Sequence, residues 1–316
     1  PPGLKMLAAA PISSGWKNTM TTNILLLGAD GQVGWELRRS LLSAGKVTAI
    51  TRQDCSLTDK AAVSALVASH QPDIIVNAAA YTAVDLAESE SEQAYALNRD
   101  LPALLGELAR QRDILVVDYS TDYVFDGSKN EPYFEHDTTA PANIYGASKL
   151  AGLQALQASG CRHLVFRVSW VYSARRGNFI KTILRLAAER DELSIVSDQI
   201  GSPTPASLIA DVTANCLLLL AAGLGQEGVY HLAPAGQTSW HGLAEKIVRH
   251  GQALDMPLKI KPADIKPTPT SGYPTPAQRP ANSVMNTDKL TRTFQLHLPD
   301  WQEPLEHLLQ EISANA

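Results

Sequence analysis

The chain has 316 residues, of which 45% are hydrophobic and 19% charged, and a net charge of -5 at neutral pH. That length accommodates a complete core and a second, smaller lobe, because domains run on the order of 100 to 200 residues. The mildly acidic balance excludes a basic nucleic-acid surface and points to a small-molecule partner. Cys55, Cys161 and Cys216 show neither C-x-x-C spacing nor a His/Cys cluster, which argues against a disulfide framework and a zinc site and fits a cytoplasmic protein.

Residues 1–20 lack the apolar centre of a signal peptide and are expected to form a tail or an upstream extension. Regular patterning starts at Asn23. Short apolar runs, "NILLLG", "KVTAIT", "DIIVNAA", "ILVVDYS" and "HLVFRVS", alternate with helical stretches such as "GQVGWELRRSLLSAG" and "DKAAVSALVASH". Continuous apolar runs are what strands buried on both faces require, so the pattern predicts a doubly wound α/β fold with a parallel sheet, that is, a Rossmann-type domain over residues 21–170. Residues 171–316 are expected to form mainly a substrate-binding lobe, with some segments returning to the sheet. There, "LSIVSD" and "GVYHLA" read as strands and "GNFIKTILRLAAER" as a helix. "ANCLLLLAAGLG" is too short for a membrane span and reads as a buried helix. The proline-rich stretch "MPLKIKPADIKPTPTSGYPTPAQRP" is expected to be irregular surface, either a specificity loop or a linker.

Gly28, Gly31 and Gly34 fall between the first strand and the first helix, spaced G-x-x-G-x-x-G. In that place glycines permit a tight turn and close approach of backbone to a pyrophosphate at a helix N-terminus, which makes the stretch, with Gln32 and Val33, a candidate dinucleotide site. The second strand ends in Thr51 and Arg52, where an NAD-binding protein would carry a carboxylate. Arg52 can instead meet a 2′-phosphate, so NADPH is the expected cofactor, with NADH possible; a solvated surface arginine is the alternative. Asp54 and Ser56 follow as candidate neighbours of the adenosine.

Tyr145 and Lys149 stand at i and i+4 in "IYGASKLAG", on one face of a helix. An ammonium near a phenol favours the phenolate, and would draw its pKa towards neutrality. Ser120, Thr121 and Asp122 end the fourth strand, where open parallel sheets bind ligands, and the Thr121 hydroxyl could share a carbonyl oxygen with Tyr145.

The ordered set "GADGQVG", "VNAAAYTAVDLAE", "YSTDYVFDG", "PANIYGASKLAGL", "RVSWVY", "DQIGSPT" and "YPTPAQRPANSVMNT" resembles the extended short-chain dehydrogenase/reductases, and within them the branch that reduces dTDP-ketosugars, over nearly everything from Asn23 onward. The resemblance implies NAD(P)H-dependent reduction of the C4 ketone of dTDP-4-dehydro-6-deoxy-L-mannose to dTDP-L-rhamnose, the final step of dTDP-L-rhamnose biosynthesis. It implies Tyr145 as proton donor, Lys149 as its partner and ribose anchor, and Thr121 as stabiliser of the oxyanion. Ala80, Tyr81, Thr82 and Asn98 match positions that border the cofactor or substrate, and Val84, Trp170 and Arg279 match positions that line the sugar nucleotide, beside which the strand-end position already sets Asp122. Some members form magnesium-bridged dimers through glutamates. Glu36 and Glu311 match two of these, but Ser207 stands at the third, so no metal is expected and the protein is expected to be a monomer or a weak homodimer. Two other functions fit the fold: a non-catalytic NADP-binding regulatory subunit, which needs no proton donor, and a sugar-nucleotide epimerase or dehydratase, which recycles its nicotinamide.

Overall fold

The structure, a computed structural model, describes residues 22–314; the expected tail, residues 1–20, lies outside them. In chain order the strands are β1 (Asn23–Leu27), β2 (Lys46–Ile50), β3 (Ile74–Asn77), β4 (Leu115–Thr121), β5 (Arg162–Val168), β6 (Val171–Tyr172), β7 (Leu193–Val196), β8 (Ile200–Gly201), β9 (Thr204–Pro205), β10 (Gly228–His231), β11 (Thr238–Ser239) and β12 (Ile265–Thr268). The α-helices are α1 (Gln32–Ser40), α2 (Lys60–His70), α3 (Val84–Ala87), α4 (Ser91–Tyr95), α5 (Leu101–Arg112), α6 (Ile144–Ala158), α7 (Phe179–Glu189), α8 (Ala206–Ala221), α9 (Trp240–Ala253), α10 (Asp288–Phe294) and α11 (Gln302–Ala314).

Six strands form one parallel sheet in the order β10-β5-β4-β3-β1-β2. Alternate residues of each apolar run point to opposite faces. Leu25, Leu27, Ile75, Val116 and Val165 pack with Val63 and Val67 of α2, Leu105 of α5 and Leu156 of α6. Ile24, Leu26, Val76, Val117 and Phe166 pack with Leu37 of α1 and Ile209 and Leu217 of α8. Helices on both faces leave the central strands without a solvent side, which is why β3 and β4 are buried at every residue. The chain reverses its direction of travel across the sheet between β1 and β3, and in such sheets ligands bind at the strand carboxyl ends beside that point.

A second core joins α7, α9 and α11 through Ile183, Leu243, Ile247, Leu305 and Leu309. One segment takes the expected return path to the sheet and one differs from expectation. "GVYHLA" supplies the sixth strand of the large sheet, beside β5, because its apolar residues complete the sheet's edge. The proline-rich stretch, expected to be irregular throughout, contains β12, which pairs in parallel with β7 and sets Pro267 opposite Ile195. Proline is tolerated there because β12 has a partner on one side only, so the missing N–H interrupts no second ladder. Among the described residues no helix is long and apolar enough to cross a membrane.

Helix α6 is seated with little clearance. Asn143 caps it, its Oδ1 accepting from Gly146 N at 2.8 Å, and its Nδ2 donates to Gln278 O at 2.7 Å. A methyl group at Gly152 would overlap the Asn98 carbonyl in the π-helical turn Ala96–Asp100. Gly152→Ala is therefore expected to push α6 off that turn and cost about 2 to 3 kcal/mol, as overpacked cores do. Urea denaturation measures the loss, and an unchanged midpoint would contradict this packing.

Candidate active site

A cleft of about 540 Å³ opens at the carboxyl end of the sheet, lined from one side by the glycine-turn residues Gln32 and Val33 and from the other by Thr121, Tyr145 and Lys149. The turn is built for close contact: Gly28 has φ +74°, and a Cβ there would lie 2.7 Å from Ala79 N, while one at Gly34 would overlap the Gly28 carbonyl. Gly31 is the N-cap of α1 with no side-chain cap, and no acidic residue occupies the first turn of that helix. The first N–H groups of α1 are thus left for an anion, so this turn fits a dinucleotide pyrophosphate.

Opposite the turn, α6 presents Tyr145 and Lys149 one turn apart. Lys149 is buried and its Nζ lies 3.8 Å from Oδ2 of Asp118, equally buried in the middle of β4. Asp118 Oδ1 accepts from Asn77 Nδ2 at 2.6 Å. Burial raises the Asp118 carboxyl above the usual range, against the Lys149 ammonium and the Asn77 amide, which pull it down. The Tyr145 phenol is pushed up to about 12 by burial, with the nearby Asp122 adding to the rise and the Thr121 hydroxyl opposing it. The expectation that Lys149 draws the phenol towards neutrality is therefore corrected. The nearest charge partner of the ammonium is Asp118, and removal from water dominates at the phenol.

Thr121 Oγ1 donates to Asp122 Oδ1 at 2.9 Å and accepts from Tyr123 N at 3.2 Å. Asp122 is buried and its Oδ2 has no hydrogen-bond partner, as is true of Ser120 Oγ; both residues line the cleft. Burial pushes the Asp122 carboxyl up to about 6, with the Ser283 and Thr121 hydroxyls offsetting only part.

Arg52, Ala80, Thr82, Val84 and Trp170 also border the cleft. Trp170, in the left-handed region at φ +48°, stacks on Trp240 with ring centroids 3.6 Å apart and planes at 10°. One face of its ring is thereby covered by protein. Five expected residues point elsewhere. Asp54 turns back on Thr51, its Oδ2 accepting from Thr51 N and Oγ1 at 2.9 and 2.7 Å, and Ser56 Oγ meets Thr58 Oγ1 at 3.1 Å. Asn98 is consumed as a strut, bonded to Tyr81 N, Tyr81 O and Ser148 Oγ, and the Tyr81 hydroxyl donates to Glu90 at 2.6 Å. Arg279 forms a bidentate pair with Asp85 of α3 at 2.9 and 2.7 Å and borders a neighbouring cavity of about 690 Å³ that shares Phe179 and Trp240 with the cleft. Glu36 carries a raised pKa, through burial first and then the nearby Glu311 and Asp211 charges, with Arg39 opposing.

Sequence reasoning passed over Asp118, although one acid inside the apolar run "ILVVDYS" was a signal, because a buried carboxylate needs a partner. It also passed over the loop 173–178, whose Ser173 and Asn178 both donate to Gln32 Oε1 at 3.1 Å across the cleft mouth.

A glycine turn facing a Tyr-x-x-x-Lys helix and a strand-end threonine defines a short-chain dehydrogenase/reductase of the extended type. The family described as RmlD substrate binding domain matches residues 22–314, and the chain belongs to it. A dTDP-4-dehydrorhamnose reductase of Burkholderia thailandensis is 48% identical over 283 residues, 88% of this chain and 95% of that protein. Its counterpart in Escherichia coli is 44% identical over 294 residues, 92% of this chain and 98% of the relative. Among solved structures, the Bacillus anthracis dTDP-4-dehydrorhamnose reductase in complex with NADP superposes with a TM-score of 0.84 at 33% identity, covering 92% of this chain and 100% of that one. A Thermus thermophilus UDP-glucose 4-epimerase, 17% identical with a TM-score of 0.75, shares the fold.

The raised Asp122 pKa has a pH signature. A carboxyl that keeps its proton to about pH 6 when folded, but ionises near 4 when unfolded, favours the folded state while protonated. Its contribution is complete below pH 4 and is lost as pH rises through 6, a change of up to about 3 kcal/mol. Asp122→Asn is expected to be more stable than the parent at pH 8, with the gap closing by pH 4, in urea melts. An equal gap at both pH values would refute the shift.

Proposed function

We propose that the chain reduces the C4 ketone of dTDP-4-dehydro-6-deoxy-L-mannose to dTDP-L-rhamnose, using a nicotinamide cofactor bound across the glycine turn. The observation that carries this reading is the convergence of Tyr145, Thr121 and Lys149 on one wall of the cleft, opposite the uncapped start of α1. Reduced nicotinamide supplies the hydride when bound. The residues of the chain do the rest. Tyr145, protonated at neutral pH, donates to the C4 oxygen as negative charge develops there. Thr121 becomes a second donor to that oxygen when its single hydroxyl proton, held here by Asp122 Oδ1, turns from the carboxylate to the substrate. Lys149 keeps donors for ribose hydroxyls, because its contact with Asp118 is long at 3.8 Å and an ammonium has three N–H groups.

The cavity beside Asp85 and Arg279 is read as the place of the nucleotide portion, with Arg279 directed to the diphosphate once Asp85 shares it. NADPH is the preferred cofactor in this reading, since β2 ends without a carboxylate to hold ribose hydroxyls and Arg52 stands at the cleft. A regulatory subunit would have no use for an intact proton donor, so the reductase reading is favoured over that alternative.

Tyr145→Phe is expected to lower kcat by roughly 100- to 10,000-fold, the usual size of a lost general acid, with cofactor Kd and Tm unchanged. Lys149→Met should weaken cofactor binding and also lower Tm, because it strips the buried Asp118 of its countercharge. Steady-state kinetics on the dTDP-ketosugar, with the C4 stereochemistry of the product assigned by NMR, measures the first, and fluorescence titration with calorimetry the second. Normal turnover by Tyr145→Phe would remove the phenol from the mechanism.

A further inference from the structure

The glycine turn carries Asp30, an acid at a place where a phosphorylated cofactor would meet repulsion. Asp30 is engaged from two sides. Arg176 donates from Nε to Asp30 O at 2.6 Å and from Nη2 to Oδ2 at 2.7 Å, and Arg52 Nε lies 3.9 Å from that same Oδ2. The two guanidinium groups come from different parts of the chain, Arg52 from the end of β2 and Arg176 from the loop between β6 and α7. Both line the cleft that holds Tyr145 and Lys149.

The loop is held where this convergence requires it. Ser173 and Asn178 grip Gln32 of the turn; Asn178 also caps α7 and donates to Ser173 O at 2.7 Å, and Lys181 Nζ donates to Ala174 O at 2.8 Å. Arg176 itself adopts φ +59°, a left-handed conformation that a non-glycine residue keeps only when its surroundings hold it there.

We infer that Arg176 is a specificity-determining residue for the cofactor, forming with Arg52 a two-arginine clamp for the adenosine 2′-phosphate, with Asp30 setting the position of both guanidinium groups. This rests on the NADPH reading above. Charge decides why one arginine is insufficient. Arg52 and Asp30 alone sum to zero, so a phosphate monoester carrying about -1.5 to -2 charges would find no net attraction. With Arg176 the group is net positive, and a planar guanidinium can offer two parallel N–H donors to phosphate oxygens.

The test is equilibrium binding of 2′,5′-ADP and 5′-AMP, measured by calorimetry on the parent, Arg176→Ala, Arg176→Lys and Arg52→Ala, with thermal melts to confirm folding. The parent should bind 2′,5′-ADP more tightly than 5′-AMP. Arg176→Ala should weaken 2′,5′-ADP by roughly tenfold, the scale of one charge-assisted contact at a partly exposed site, and leave 5′-AMP within about twofold, while Arg176→Lys restores part of the loss. A parent that fails to discriminate sinks the NADPH reading and the clamp together. If the parent discriminates and only Arg52→Ala abolishes that preference, the NADPH reading stands and the role of Arg176 is overturned. Equal weakening of both nucleotides by Arg176→Ala would likewise overturn it, leaving a loop that holds adenosine without reading the phosphate.

Discussion

An ammonium and a carboxylate, both almost excluded from water, meet at the centre of this structure: Lys149 of α6 and Asp118 of β4. Removing either would leave an uncompensated buried charge, at a cost of about 3 to 5 kcal/mol. The pair therefore fixes the rotation of α6 against the sheet as firmly as its apolar residues do. Because Tyr145 stands one turn earlier on the same helix, its position follows from that rotation. Asn77 of β3 holds the other oxygen of Asp118, so three neighbouring elements are tied to one carboxylate. The contact is long enough for Lys149 to serve the cleft as well as the fold.

Around that anchor the cleft is polar and only partly satisfied. Ser120 Oγ and Asp122 Oδ2 are buried without partners, a condition proteins tolerate chiefly where a ligand completes the network. The phenol and the Asp122 carboxyl are both pushed towards their protonated forms by the same loss of water. The phenol is thereby kept protonated at neutral pH, as a proton donor must be, whereas the Asp122 carboxyl, at about 6, is largely ionised there. Bonds across the cleft bind the two parts of the structure: Gln32 to Ser173 and Asn178 on one side, Asp85 to Arg279 on the other. The Asp85–Arg279 pair is partly exposed and able to exchange for ligand contacts at little net cost, whereas Ser173 is buried and holds Gln32 more firmly.

Much of the fold was legible in the sequence because a strand buried on both faces must be apolar along its whole length, and "NILLLG" and "ILVVDYS" are. The segments that were not legible are those whose local pattern is ambiguous. "GVYHLA" reads as a strand but carries nothing that says which sheet it joins, and β12 is masked by Pro267. In the site, Tyr145 and Lys149 were legible through helical spacing, and Thr121 through its place at a strand end. Asn98 was expected beside the cofactor, and its amide is spent on Tyr81 and Ser148.

The sequence by itself determined the parallel sheet, the glycine turn at the end of β1 and the phenol and ammonium on one helical face, because each depends on periodicities of a few residues. Only the tertiary structure decided the charge partners: Asp118 for Lys149, Asp85 for Arg279, and Asp30 between Arg52 and Arg176. Electrostatic partnership depends on distance through space and on exclusion of water, and neither can be read from separation along the chain.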